Sequence, residues 1–392
     1  MDLARAGLGL LVASTLVLPA ALASAAGTTS TPTSSTPTTS TTVASRGLTC
    51  ATDQVSTWSL ARLANETVAV SVNAMNIGAM GPAAAQGFGG ILLFGTSAPA
   101  NLGAVLARLQ AMTPEHSTLL VMTDEEGGGV QRLTNLVGPL PWAQTMGKTL
   151  NPAQIMGLGA RVGRALHAAG VNVDLAPVLD VDGRAQYPGA ANPDGLRSFG
   201  ATAQGVGADG VAFERGLGAA DVTAVVKHFP GLGGATRNTD YGPARTLPWA
   251  TLQQTGLVPF ERAIASGVPA IMVSNASIPG LSALPATLSP VVVQELRQTL
   301  GFRGLLVADS LSAGAIGALH LAPPGAAVEA ISAGIDFILY GSPSSPASSL
   351  TLAHQIAAAI VRAVTSGALA RVTLEGAAAH VLATRTTLSC AK

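Results

Sequence analysis

Charge is scarce in this chain: only 11% of its 392 residues are Asp, Glu, Lys or Arg, and 21 basic side chains balance 21 acidic ones. Nucleic-acid binding needs a basic face, so no nucleic-acid partner is expected. Aromatic residues make up 4%, and any pocket they help to line is weakly aromatic. Cysteine is nearly absent, with Cys50 and Cys390 the only two. Long apolar runs are missing as well, apart from Leu8 to Leu22. Pro19 and the small residues after it keep that run below the ~20 residues of a membrane span.

The run follows Arg5 and ends in Ala-Ser-Ala, the pattern of a secretory signal peptide over residues 1–26. The chain is therefore expected to be secreted or held in the cell envelope, with no membrane span once the signal is removed. Residues 27–49 are almost pure Thr, Ser and Pro between Thr28 and Ser45. Such a segment buries too little apolar surface to offset its ordering entropy and reads as a disordered linker. Residues 50–392 then form one domain, bracketed by the two cysteines. In an exported protein that placement predicts a Cys50–Cys390 disulfide closing the domain's ends together, worth at most roughly 5 kcal/mol in the chain-entropy model. Two buried free thiols are the alternative.

Within the domain, apolar runs of strand length alternate with Ala- and Leu-rich stretches of helix length. The strand candidates are Val68 to Val72, Gly90 to Phe94, Leu119 to Met122, Val171 to Leu175, Val222 to Val226, Ala270 to Val273, Leu305 to Val307 and Phe337 to Leu339. Eight such strands joined by helices predict an α/β fold, a (β/α)8 TIM barrel with a single catalytic domain. A doubly wound open sheet is the alternative. A barrel collects its active site at the carboxyl ends of its strands, and the scarce polar residues do fall there. Thr123 to Arg132 follow the third strand, Asp174 to Asp180 the fourth, Lys227 and His228 the fifth, and Asp309 the seventh. After Lys227 and His228, Pro230 and Gly231 open a Gly-rich loop that carries Arg237, Asn238 and Asp240 like a lid.

Strand-end carboxylates and cations around a neutral pocket suit a sugar, whose hydroxyls accept and donate hydrogen bonds in pairs. Cleaving a glycosidic bond takes two groups, one attacking the anomeric carbon and one protonating the leaving oxygen; Asp309 and Asp240 are the candidates. No metal is expected, because His and carboxylates lack the usual ligand spacings. No nucleotide cofactor is expected either, since Gly127 to Gly129 lack the G-x-G-x-x-G spacing.

The stretches DEEGGGVQR (Asp124 to Arg132), NVDLAPVLDV (Asn172 to Val181), RSFG (Arg197 to Gly200), KHFPG (Lys227 to Gly231), PATLSP (Pro285 to Pro290) and VADSLS (Val307 to Ser312) resemble the family 3 glycoside hydrolases. They are most similar to the single-domain β-N-acetylhexosaminidase branch acting on cell-wall fragments. The resemblance implies a glycan or muropeptide substrate, Asp309 as nucleophile, and Asp124, Arg132, Arg197, Lys227 and His228 as sugar-binding residues. Plainer alternatives are that Asp309 caps the next helix, that Asp124 and Arg132 only pair with each other, and that Asp174 and Asp180 hold the barrel rim. A monomer is expected.

The lid loop departs from the family. Where that branch has a His after Pro-Gly and then Asp-Ser-His, this chain has Leu232, Asn238, Thr239 and Asp240. If activity is kept, Asp240 is the acid/base, its pKa raised by burial and by the charge of Asp309, with the Asn238 amide hydrogen-bonding its carboxyl. If activity is lost, the protein binds glycan without cleaving it. A β-glucosidase-type exo-glycosidase and a phosphorylase are further alternatives.

Overall fold

The structure is a computed structural model and describes residues 40–114, 117–341 and 343–385, with side chains from residue 47 onward. The expected signal peptide, most of the expected linker and Cys390 lie outside the described residues. A helix, Ser40–Val55, starts inside the stretch expected to be linker. It begins beyond the last proline of that stretch, Pro37, where Val43 and Ala44 join the Thr/Ser run. This helix carries Cys50 and packs on the last helix, Arg371–Arg385, so the two ends of the domain approach each other.

Short segments form the strands β1 (Ala69–Asn73), β2 (Gly90–Phe94), β3 (Leu120–Thr123), β4 (Glu125–Gly127), β5 (Val130–Gln131), β6 (Val173–Asp174), β7 (Thr223–Phe229), β8 (Ala270–Val273) and β9 (Leu305–Ala308), most of them rich in Val, Ile and Leu and β4 polar. Seven of them build one sheet in the order β1-β2-β3-β6-β7-β8-β9, every neighbour parallel. The sheet is curled. Alternate side chains on its strands sort into two apolar sets, as a pleat of period two requires. Leu92, Met122, Val173, Val225, Met272 and Val307 pack together on one face. Ile91, Val121, Val226, Ile271 and Leu306 face the other way, into the layer of helices.

The eighth expected strand differs from its prediction. Residues 337–339 form no ladder; they make single parallel bridges to both edges of the sheet, Val307 to Phe337 and Val68 to Ile338. Part of the reason is Asp336, whose carboxylate accepts the Leu306 N–H at 2.7 Å. The side-chain alternation nevertheless continues, with Phe337 and Leu339 in the inner set and Ile338 and Tyr340 in the outer. The fourth expected strand is likewise shorter than predicted, because Pro177 soon follows β6.

Among the described residues one helix, Pro346–Thr365, is long and apolar enough to cross a membrane by length and composition. Its Ala353, Ile356 and Ile360 are buried in the outer apolar set, and it packs on helix Pro323–Ala333 and on β1. One face of it packs into the domain.

Candidate active site

Three pieces of backbone bring the polar residues to one mouth. β4 and β5 pair as a short antiparallel hairpin just past β3, and Asp124, immediately before it, shares with Glu126 a parity that Glu125 does not. Asp124 and Glu126 line the cavity, whereas Glu125 turns beneath the hairpin to accept the N–H groups of Arg132 at 3.0 Å and Leu133 at 2.6 Å. Burial pushes Glu125 up to about 7 despite these donors. At the end of β7 the register against β8 shifts between Val226 and Phe229. An irregularity there re-aims side chains, and both Lys227 and His228 reach the cavity although they are neighbours in a strand. The chain after β6 runs on beside β7 through the Val178–Lys227 bridge, which carries Asp180 to His228.

Glu126 is the hub. Its Oε1 lies 2.6 Å from Lys227 Nζ and its Oε2 2.8 Å from Arg197 Nε, with Arg197 Nη2 donating to Oε1 at 2.8 Å. Burial opposes the Glu126 charge, but the Arg197 guanidinium and the Lys227 ammonium outweigh it and hold the carboxyl well below the usual range. Lys227 also donates to Asp124 Oδ1 at 2.7 Å. Burial favours its neutral form, yet Asp124 and Glu126 push it up, so it stays charged. Arg132 Nε stands 3.6 Å from Asp124 Oδ2.

His228 is neutral. Burial and the neighbouring Arg197 bring it down to about 4. Arg197 Nη2 lies 3.3 Å from Nε2 and can only donate, so Nε2 accepts and the proton sits on Nδ1. That Nδ1–H donates to Asp180 Oδ2 at 2.6 Å. The other oxygen of Asp180 accepts the Leu232 N–H at 2.7 Å and the His228 N–H at 3.2 Å. Asp180 is fully buried and does not line the cavity, so it orients His228 and ties down the start of the loop. Beside it, the buried Asp194 carboxyl finds no donor. Burial first, and the charge of Asp180 second, push Asp194 well above the usual carboxylate range.

Asp180, Asp194 and His228 also offer ligand atoms within 4.8 Å of one another, close enough for a cation. The hydrogen bonding argues against one. A metal on Nδ1 needs the proton moved to Nε2, where it meets the donor-only Arg197.

The loop forms the remaining wall. Asp240 lies on a turn of 3-10 helix, Thr239–Tyr241, capped by Asn238, whose Oδ1 accepts the Asp240 N–H at 2.9 Å. Asn238 N–H donates to Ala190 O at 2.9 Å, and a Cβ on Gly314 would come within 2.8 Å of Asp240 O. Two expectations change here. Asn238 serves the backbone instead of the Asp240 carboxyl, because at two residues' distance its side chain closes an Asx turn. Asp240 is exposed, not buried. Burial and the Asp240 charge push Asp309 up, against the pull of Lys227. Asp309 Oδ1 also accepts the Ser310 N–H at 2.7 Å, but the next helix, Gly314–Gly317, starts after Ala313, so Asp309 caps no helix.

Asp124, Arg132, Arg197, Lys227, His228, Asn238, Asp240 and Asp309 thus line one cavity of about 290 Å³. Of the residues singled out in the sequence, Asp180 stands behind the wall. Glu126 and Asp194 were missed as individuals. The alternation Asp-Glu-Glu before three glycines could have revealed Glu126; Asp194 carries no local signal.

A parallel sheet with carboxylates and cations gathered at its strand ends, two of the carboxylates free to act on one small polar ligand, is the construction of a glycoside hydrolase. The model for the glycosyl hydrolase family 3 N terminal domain matches residues 68–384, and the chain belongs to that family. An uncharacterized secreted glycosyl hydrolase of Arthroderma benhamiae is 35% identical over 239 residues, 58% of this chain and 66% of the relative. Beta-hexosaminidase LpqI of Mycobacterium tuberculosis is 34% identical over 233 residues, 57% of this chain and 58% of the relative. The matched region therefore covers about three fifths of the length of these curated relatives. Among solved structures, the beta-N-acetylhexosaminidase of Beutenbergia cavernae superposes with a TM-score of 0.73 at 30% identity, covering 84% of this chain and 98% of the other.

Proposed function

We propose that this protein is a retaining β-N-acetylhexosaminidase that removes terminal N-acetylglucosamine from cell-wall-derived glycans by double displacement. The observation that carries the reading is the single cavity shared by Asp309 and Asp240, over a floor whose cations are fixed by Glu126. Lys227, Arg197, Arg132, Asp124 and His228 hold the sugar hydroxyls. The Asp309 carboxylate attacks the anomeric carbon while the bond to the leaving oxygen breaks and Asp240 gives that oxygen its proton. Water then attacks the glycosyl-enzyme, Asp240 takes its proton, and Asp309 is released as a carboxylate.

The same reading includes a closed (β/α)8 barrel in which residues 337–340 stand as eighth strand. It also includes a signal peptide over 1–26, a linker that ends before helix Ser40–Val55, a Cys50–Cys390 disulfide, an extracytoplasmic location and a monomer. The test is mass spectrometry after reaction with a fluorinated N-acetylglucosaminide. One glycosyl adduct on Asp309 is expected, lost in Asp309→Asn; an active enzyme whose adduct sits elsewhere overturns the assignment. A second reading rests on the exposure of Asp240 and the missing loop His. In it the protein binds glycan without cleaving it, and wild type then gives sugar binding by calorimetry with no adduct.

A further inference from the structure

The chain has three tyrosines. Tyr340 is fully buried, but Tyr241 is 63% and Tyr187 75% exposed. Both sit on loops at the rim of the cavity. Tyr241 lines it directly, as do Pro188 and Gly189, the residues that follow Tyr187. The two loops are joined by the hydrogen bond from Asn238 N–H to Ala190 O. Single exposed aromatics are ordinary on protein surfaces; a pair on two linked loops beside a polar cavity is not scattered.

The Tyr187 ring and the Tyr241 backbone each have a support. Tyr187 meets Trp142 edge to face, with ring centroids 5.9 Å apart and planes at 70°. Trp142 in turn lies on the β4–β5 turn, where a Cβ on Gly128 would come within 2.0 Å of the indole. Only glycine leaves room for that ring. Tyr241 closes the turn that carries Asp240, and Gly314 packs against the backbone on both sides of it. Rigid aromatics gain contact area at little entropic cost, and their tyrosyl oxygens stay in water.

The position of Tyr241 says which part of a substrate it meets. A general acid must reach the oxygen between the cleaved sugar and the leaving group. The residue after it in a tight turn, at the outer rim, therefore faces the leaving-group side. We propose that Tyr241, with Tyr187, forms a leaving-group subsite that stacks on a second sugar ring, so that the substrates are β-linked N-acetylglucosamine oligosaccharides rather than glycosides of small alcohols. This rests on Asp240 and Asp309 acting as assigned above.

The experiment compares the β-1,4-linked N-acetylglucosamine disaccharide with methyl β-N-acetylglucosaminide, for wild type, Tyr241→Ala, Tyr241→Phe and Tyr187→Ala. In Tyr241→Ala the ratio of kcat/KM for the disaccharide to that for the methyl glycoside is expected to fall about tenfold, mostly through KM. Tyr241→Phe keeps the ratio, because stacking needs the ring and not the hydroxyl, and it also reports whether loss in the alanine variant is misfolding. Tyr187→Ala shows a smaller fall. Equal loss on both substrates, or Tyr241→Phe behaving like alanine, overturns the proposal. If wild type cleaves neither substrate, it is the assignment of Asp240 and Asp309 that fails. Calorimetry with the disaccharide then decides the stacking separately: equal affinity of wild type and Tyr241→Ala overturns it.

Discussion

The floor of the cavity and the loop that walls it follow opposite rules. On the floor every charge answers another: Lys227 has two carboxylates, Glu126 two cations, and His228 has Asp180 on one nitrogen and Arg197 on the other. Buried charges tolerate no vacancy, since removing one member strands its partner away from water. The loop from Leu232 to Thr246 is held by backbone hydrogen bonds, an Asx turn and a glycine contact, and its Arg237 and Asp240 are exposed. Leu232, Ala235 and Ala244 pack with Ala276 in a small apolar cluster, and it is the exposed side chains that are free to change. A family motif can therefore persist on the floor while the loop exchanges a His for Asp240.

The largest effect that breaks this contrast should come from the floor. Glu126→Ala is expected to destabilise the fold by about 3–5 kcal/mol and to abolish sugar binding, read by chemical denaturation and calorimetry. A variant as stable as wild type means that Lys227 and Arg197 are solvated and the floor is no buried network. Next, Asp240→Asn should lower kcat by roughly 10²- to 10⁴-fold on a substrate with a poor leaving group, much less on an activated aryl glycoside, and leave stability unchanged. Unchanged turnover on the poor leaving group removes Asp240 from the mechanism.

The pH profile joins the two regions. In the proposed mechanism Asp309 attacks as a carboxylate, and its pKa is raised, so kcat/KM should fall as pH drops through a value above that of a free aspartate. Because the Asp240 charge contributes to that rise, Asp240→Asn should move the acid limb to lower pH when measured with the aryl glycoside. A limb that stays in place shows the two carboxyls to be electrostatically independent. The smallest effect is expected from Asn238→Ala, which loses the cap on the Asp240 turn and costs about 1 kcal/mol or less in a short turn. Its signature is a fall in kcat with little change in the melting temperature.

Much of the layout could be read from residue order alone. Short apolar runs gave seven sheet strands close to their observed bounds, because strands buried on both faces need uninterrupted apolar residues. Residues 337–339 looked like the others, yet nothing in their composition distinguishes single bridges from a ladder; that depends on Asp336 taking a backbone partner. At the site, residue type and strand-end position located Asp124, Arg132, Lys227, His228 and Asp309, whereas Arg197, on a 3-10 turn, was pointed to only by the family resemblance. What stayed hidden needed three dimensions. Glu126 becomes the hub only once the hairpin folds over β7, Asp194 matters only through burial beside Asp180, and the exposure of Asp240 follows from how the turn docks on Gly314.

The carboxylate of Asp180 has a consequence for redesign. By accepting the Leu232 N–H it fastens the entrance of the loop, while the exit is fastened at Arg245 and Thr246, which pair with Ser277. Between those two clasps the segment is a cassette. Exchanging the acid within that cassette leaves both clasps in place, while the charge it brings still reaches Asp309.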